Sequence, residues 1–171
     1  MFSLGLFAIC EYGFNLYTGK VGYIGFRLTD TKYIGFVVLV LICNLLTTFL
    51  LGIVMGKYFD AVRTLALKSY AAKMNASPDK WVVSSIFCGM LMYLAVDTWK
   101  RGSKLGVFLC VPTFIMCGFD HSVANSFYNG AALSNATFTM QNASFVITVV
   151  LGNAMGGILL PLLTRSWKNE K

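Results

Sequence analysis

Asp120 and His121 stand side by side in an otherwise apolar stretch, and His121 is the chain's only histidine. An ionisable residue at membrane depth costs about 2.5 to 3.5 kcal/mol on insertion scales, so such residues usually mark a substrate or proton path. Histidine suits proton or anion handling because its unperturbed pKa lies near 6.5, at about physiological pH. The plainer reading is an imidazole that only hydrogen-bonds backbone across a break in a helix. A single histidine also excludes a bis-histidine haem, and no nucleophile elbow accompanies it. The five cysteines lie in apolar stretches with no CxxC pair, so they read as packing residues rather than zinc ligands or disulfides. The chain reads as a protein without enzymatic activity and without a cofactor.

The elements that position this pair are membrane segments. The chain is 57% hydrophobic and 12% charged, whereas a soluble domain carries about 25% charged residues. Residues 33–56 are uncharged throughout, as are residues 144–164, and roughly 20 apolar residues suffice to cross the hydrocarbon. The reading is an all-α integral membrane protein, one channel domain over residues 1–171. Its segments are a broken one at about 1–28, a span at 33–56, a span at 81–99, a broken one at 105–130 and a span at 143–164. An amphipathic helix at about 58–76 lies at the interface, its Lys57, Arg63, Lys68 and Lys73 alternating with Val62, Leu65, Leu67 and Tyr70.

Each broken segment consists of pieces too short to span. The first passes from residues 1–10 into Glu11, Gly13, Asn15 and Thr18-Gly19-Lys20; the second is interrupted at Asp120-His121. Irregular backbone at membrane depth survives only where protein buries it or it lines a wet cavity, and transporters build central sites from such breaks. The stretches Ile42-Cys43-Asn44 and Leu151-Gly152-Asn153, each in the span after a break, hint at an internal repeat.

The net charge of +7 comes from Lys and Arg set between hydrophobic runs, which points to a membrane surface and away from nucleic acid. Five segments put the termini on opposite sides. Nine cations fall on the side holding the loops at 20–32 and 100–104 and the tail after 164, against five on the other. The positive-inside bias places the C-terminus in the cytoplasm.

Gly118-Phe119-Asp120-His121-Ser122-Val123-Ala124-Asn125 resembles the signature G-F-E-H-S-[VI]-A-N of the formate/nitrite transporter family. Phe2-Ser3-Leu4-Gly5-Leu6 and Leu16-Tyr17-Thr18-Gly19 resemble that family's second helix and the loop that breaks it. Leu94-Ala95-Val96 resembles its fourth helix, and Gly152-Asn153 with Gly156-Gly157 its sixth. The resemblance implies an aquaporin-like helical bundle, a homopentamer in a bacterial plasma membrane, and a small monovalent anion such as formate or nitrite as substrate. It implies an outer constriction at Leu6 and Phe114 with Phe2 nearby, and an inner one at Leu16 and Tyr17 beside Thr18. His121 would lie between them facing Thr18, with Asn125 in support and Lys73 in the vestibule. Asp120 stands where the family usually has Glu, Asn15 where an acidic residue is common, Tyr17 where Phe is usual, and Gly89 where some members have Asn. The family's first transmembrane helix has no counterpart here, so the chain reads as an N-terminally truncated member with five of six membrane segments. Two alternatives stand beside proton-coupled anion transport: a non-conducting remnant of such a channel, and an aquaporin-like channel for neutral solutes.

Overall fold

The computed structural model describes residues 2–133 and 139–168, with the side chains of Phe2 and of residues 165–168 outside the description. Among the described residues the structure is helical with no strand. In order the helices are α1 (Phe2–Glu11), α2 (Tyr17–Lys20), a 3-10 helix (Val21–Phe26), α3 (Thr31–Tyr58), α4 (Asp60–Met74), α5 (Pro78–Lys100), α6 (Leu105–Met116), α7 (Ser122–Ala131) and α8 (Met140–Lys168).

Among the described residues three helices are long and apolar enough to cross a membrane: Thr31–Tyr58, Pro78–Lys100 and Met140–Thr164. The 28 residues of α3 reach about 42 Å at 1.5 Å per residue, beyond a hydrocarbon core of about 30 Å. The excess lies at its ends, where Asp30 caps the helix by accepting the Tyr33 N–H at 3.0 Å and Lys57 occupies the last turn. Such a polar finish at each end suits a helix that emerges into the headgroup layer. One flank of α3 presents Leu39, Leu46, Leu50 and Val54 outward, as a lipid-facing surface should. The chain is an all-α membrane protein.

The two short pairs, α1 with α2 and α6 with α7, are each two helical pieces joined through a break. Both interruptions begin alike. Gly13 and Gly118 take φ values of +72° and +68°, a left-handed conformation that glycine adopts without a Cβ penalty. The next N–H in each then reaches back five residues: Phe14 to the Ile9 carbonyl and Phe119 to the Phe114 carbonyl, both at 2.9 Å. This is the Schellman closure, which satisfies carbonyls that a helix end would otherwise leave bare. Neither helix frays there; each is stopped.

Packing follows the same twofold logic, with α3 against α7 and α5 against α8. Both pairs approach through glycine. A Cβ on Gly130 of α7 would meet the Phe49 carbonyl oxygen of α3 at 2.1 Å, and one on Gly156 of α8 would meet the Ile86 carbonyl oxygen of α5 at 1.9 Å. Small residues give membrane helices their close contacts, because lipid tails remove any hydrophobic advantage of larger ones. A core of Leu6, Cys88, Met92, Val96, Val107, Val111 and Phe114 fills the space between α1, α5 and α6.

Gly156→Leu is therefore expected to push α8 off α5 and to lower the thermal unfolding midpoint in detergent sharply. Gly35→Leu, at an exposed position with open space around it, is expected to leave the midpoint near that of the unmodified protein. Equal midpoints for the two variants would contradict the close α5–α8 contact.

Candidate functional site

The two interruptions meet at the centre of the bundle. Thr18, on α2, and His121, at the N-terminus of α7, are both buried, and Thr18 Oγ1 lies 2.9 Å from His121 Nε2. The other ring nitrogen, Nδ1, accepts the Ala124 N–H at 3.2 Å and so caps α7. These contacts assign the tautomer. With Nδ1 accepting, the neutral ring carries its proton on Nε2, which donates to the Thr18 hydroxyl. His121 thus joins the backbone across the break and faces the opposite break at once.

Each break is also stitched by one asparagine from the long helix that follows it. Asn153 of α8 accepts the Ser122 N–H at 2.8 Å and donates to the carbonyls of Asp120 and Ser85, both at 2.8 Å. Asn44 of α3 accepts the Tyr17 N–H at 2.9 Å and donates to the Asn15 carbonyl at 3.2 Å. The pattern is identical position by position: Tyr17 corresponds to Ser122, and Asn15 to Asp120. A buried N–H or carbonyl left without a partner costs about 1 to 3 kcal/mol, and a carboxamide carries the donor and the acceptor needed to serve both sides of one gap.

Asp120 is almost fully buried, and three elements hold its carboxylate. Lys73 of α4 forms an ion pair with it, Ser84 of α5 donates to it, and Asn125 Nδ2 of α7 donates at 3.1 Å. A buried carboxylate is tolerable only when paired and hydrogen-bonded. Lys73 also faces open space, lining with Asn125, Phe114 and His121 a cavity of about 180 Å³.

A larger cavity of about 480 Å³ lies next to it, with Phe114, His121 and Ala124 in the walls of both. Its lining is mostly apolar: Leu6, Ile9, Leu16, Met92, Val111, Phe114, Val123 and Phe127, with Thr48 and His121 as polar side chains. Phe114 stacks on the His121 ring with centroids 5.7 Å apart. Leu6, Phe114 and Leu16 therefore line one cavity. A third cavity, of about 100 Å³, shares Ile9 and Leu16 with the large one.

Tyr17 lies elsewhere than the resemblance implies. Its ring is buried with Val21, Val37 and Val40, its hydroxyl donates to the Val150 carbonyl at 3.2 Å, and it lines none of the three cavities. A phenol in an apolar interior needs an acceptor, and α8 supplies one on the side away from Leu16. The side chain of Phe2 lies outside the described residues. Asn44, Asn153 and Ser84 were not among the candidates. Asn44 and Asn153 were visible as matching letters in the repeat, and Gly13-Phe14-Asn15 against Gly118-Phe119-Asp120 is a second repeat that would have strengthened it.

A family model described as formate/nitrite transporter matches residues 1–167. The chain is similar to an uncharacterized transporter, YrhG, of Bacillus subtilis (strain 168), at 33% identity over 110 residues; these cover 60% of this chain and 39% of that protein. It is similar also to a probable formate transporter of Methanothermobacter thermautotrophicus, at 26% identity over 193 residues; these cover 93% of this chain and 69% of that protein. The chain thus spans well under half of the first relative's length. No solved structure matches.

Asn153→Ala removes three bonds at a site with no solvent exposure, while Asn44→Ala removes two at a half-buried one. Both are expected to lower the unfolding midpoint in detergent, Asn153→Ala by more, at about 1 to 3 kcal/mol per orphaned group. An Asn153→Ala protein as stable as the unmodified one would contradict the stitching role.

Proposed function

This chain belongs to the formate/nitrite transporter family, and from that premise we propose that it carries a small monovalent anion of the formate or nitrite type through the string of cavities around His121. The observation that carries the reading is the placement of a buried Nε2–H donor at the wall between a lysine-bearing cavity and an apolar one.

The physical obstacle is charge. Taking a bare carboxylate into low dielectric costs on the order of 20 kcal/mol by idealised Born reasoning. The Lys73 ammonium has three N–H donors, one of them engaged by Asp120, so it can also draw an anion into the outer cavity. Past Phe114 the walls turn apolar, and the anion meets His121. Nε2–H then turns from the Thr18 hydroxyl to the anion, a charge-assisted hydrogen bond in place of a neutral one. A proton delivered to the anion by hydronium from the aqueous side, leaving neutral water behind, removes the remaining cost, and the neutral acid crosses the apolar cavity to Leu16.

The cap on α7 bears on where that proton comes from. A doubly protonated ring would turn an Nδ1–H toward the Ala124 N–H, setting donor against donor at a helix N-terminus that already disfavours cations. This supports His121 as a neutral hydrogen-bond donor, with proton coupling carried by the substrate. The same reading takes the assembly to be a homopentamer in a plasma membrane. The end rich in Lys and Arg, with the C-terminus, faces the cytoplasm.

His121→Asn tests the role of the ring. Asparagine is a good N-cap, so a folded protein is expected, but its shorter side chain withdraws the donor from the cavity wall. A hydrogen bond to a charged group contributes about 1.5 to 3 kcal/mol, and about 1.4 kcal/mol is tenfold in rate. Formate flux in proteoliposomes is expected to fall at least tenfold at equal protein content. Unchanged flux would overturn the proposed role.

A further inference from the structure

The smallest of the three cavities is basic where the largest is apolar. It lies behind Leu16, between the end of α2 and the end of α5, and Lys20, Lys100, Cys10 and Trp99 are in its walls. It adjoins the cavity that His121 faces, and Leu16 and Ile9 line both spaces. We propose that this cavity is a docking site for a small monovalent anion, held between the ammonium groups of Lys20 and Lys100. The proposal deepens the transport reading and rests on it, supplying a second charged station at the mouth opposite Lys73.

Four observations carry it. The first is that neither cation is held in an ion pair. Among the described residues neither Lys20 nor Lys100 forms one, whereas two carboxylates near this end pair with other cations. Asp97 pairs with Arg101 at 2.7 Å and Glu11 with Lys104 at 3.5 Å. The second is that Lys100 is positioned. Its Nζ sits 3.6 Å from the centroid of the Tyr23 ring, and a cation–π contact orients an ammonium while leaving its charge and N–H donors in place.

The third is that the backbone at Lys20 is held from two sides, by α3 and by α5. The Lys20 carbonyl accepts the Tyr33 hydroxyl at 2.9 Å, and a Cβ on the adjacent Gly19 would meet Val96 Cγ2 of α5 at 3.1 Å. The fourth is size. About 100 Å³ holds several waters, which admits a compact anion with part of its shell and excludes a bulky one. Two like charges facing one small space repel, and a bound anion relieves that repulsion. Two lysines that only reach toward lipid headgroups would show no preference for a small anion over a bulky one at equal ionic strength.

The test uses the full chain in lipid nanodiscs, an amine-reactive reagent and mass spectrometry of the labelled lysines. Sodium formate is raised while sodium gluconate is lowered at constant ionic strength. Formate is expected to slow labelling of Lys20 and Lys100 several-fold relative to the exposed Lys57 and Lys68; uniform slowing, or none, would overturn the proposal. In proteoliposomes, the double variant Lys20→Met with Lys100→Met is expected to raise the half-saturating formate concentration several-fold for entry through the Leu16 mouth. The change for entry through the Lys73 mouth is expected to be smaller, and the Lys20→Arg with Lys100→Arg protein is expected to regain the original value. Equal changes in both directions, or no rescue by arginine, would also overturn it. Protection of the two lysines in a protein that passes no formate would sustain the docking site and sink the transport reading.

Discussion

A polypeptide that leaves its helix inside a membrane must find partners for every N–H and carbonyl it frees, since hydrocarbon offers none. This chain breaks a helix twice, after Gly13 and after Gly118, and both times the freed groups find partners within the protein. Each helix is stopped by a glycine with positive φ at the same point. One asparagine from the next long helix then takes up the N–H on one side of the gap and a carbonyl on the other. Once both gaps are secured, the residues within them are placed without freedom. Leu16 caps nothing and closes a cavity, while His121, at the corresponding position, caps α7 and presents Nε2 to Thr18.

That correspondence separates two roles that one kind of break can serve. At the α1–α2 break the first residue before the new helix is Leu16, so the break presents an apolar side chain to two cavities. At the α6–α7 break it is an imidazole, so the break forms a donor. The flanking residue differs as well: Asn15 is neutral, whereas Asp120 needs Lys73, Ser84 and Asn125 around it. Two of these contacts tie α4 and α5 to the break, so α4 reaches the centre through a buried ion pair as well as through its apolar packing on α7.

Much of this was legible in the letters. The uncharged runs at 33–56 and 144–164 lie within α3 and α8, and the stretch 118–125 carried the family relationship. The asparagine of each long helix stood out as a matching letter, though nothing in the letters said what it bonded. Two things were hidden, for different reasons. The four residues of α2 are too few to show a period, so the opposite directions of Leu16 and Tyr17 depended on where the Val150 carbonyl happened to lie. The partner of Lys73 was hidden because an ion pair across 47 residues leaves no mark in spacing. Charge alternation along α4 described that helix's surface and was silent about which of its three cations, Arg63, Lys68 and Lys73, turned inward.

The central claim is that the two stitched breaks enclose a water-accessible path rather than a sealed core. With Cys10, Cys43, Cys88, Cys110 and Cys117 replaced, single cysteines at Leu6 and Phe114, which line the large cavity, can be compared with cysteines at Leu39 and Ile147, which lie on outward faces of α3 and α8. The measurement is the rate of modification by a small, charged, membrane-impermeant thiol reagent in proteoliposomes. The account predicts that Leu6→Cys and Phe114→Cys react and that added formate slows them, while Leu39→Cys and Ile147→Cys stay unmodified in lipid. Modification of the two outward positions, with Leu6→Cys and Phe114→Cys inert, would contradict it.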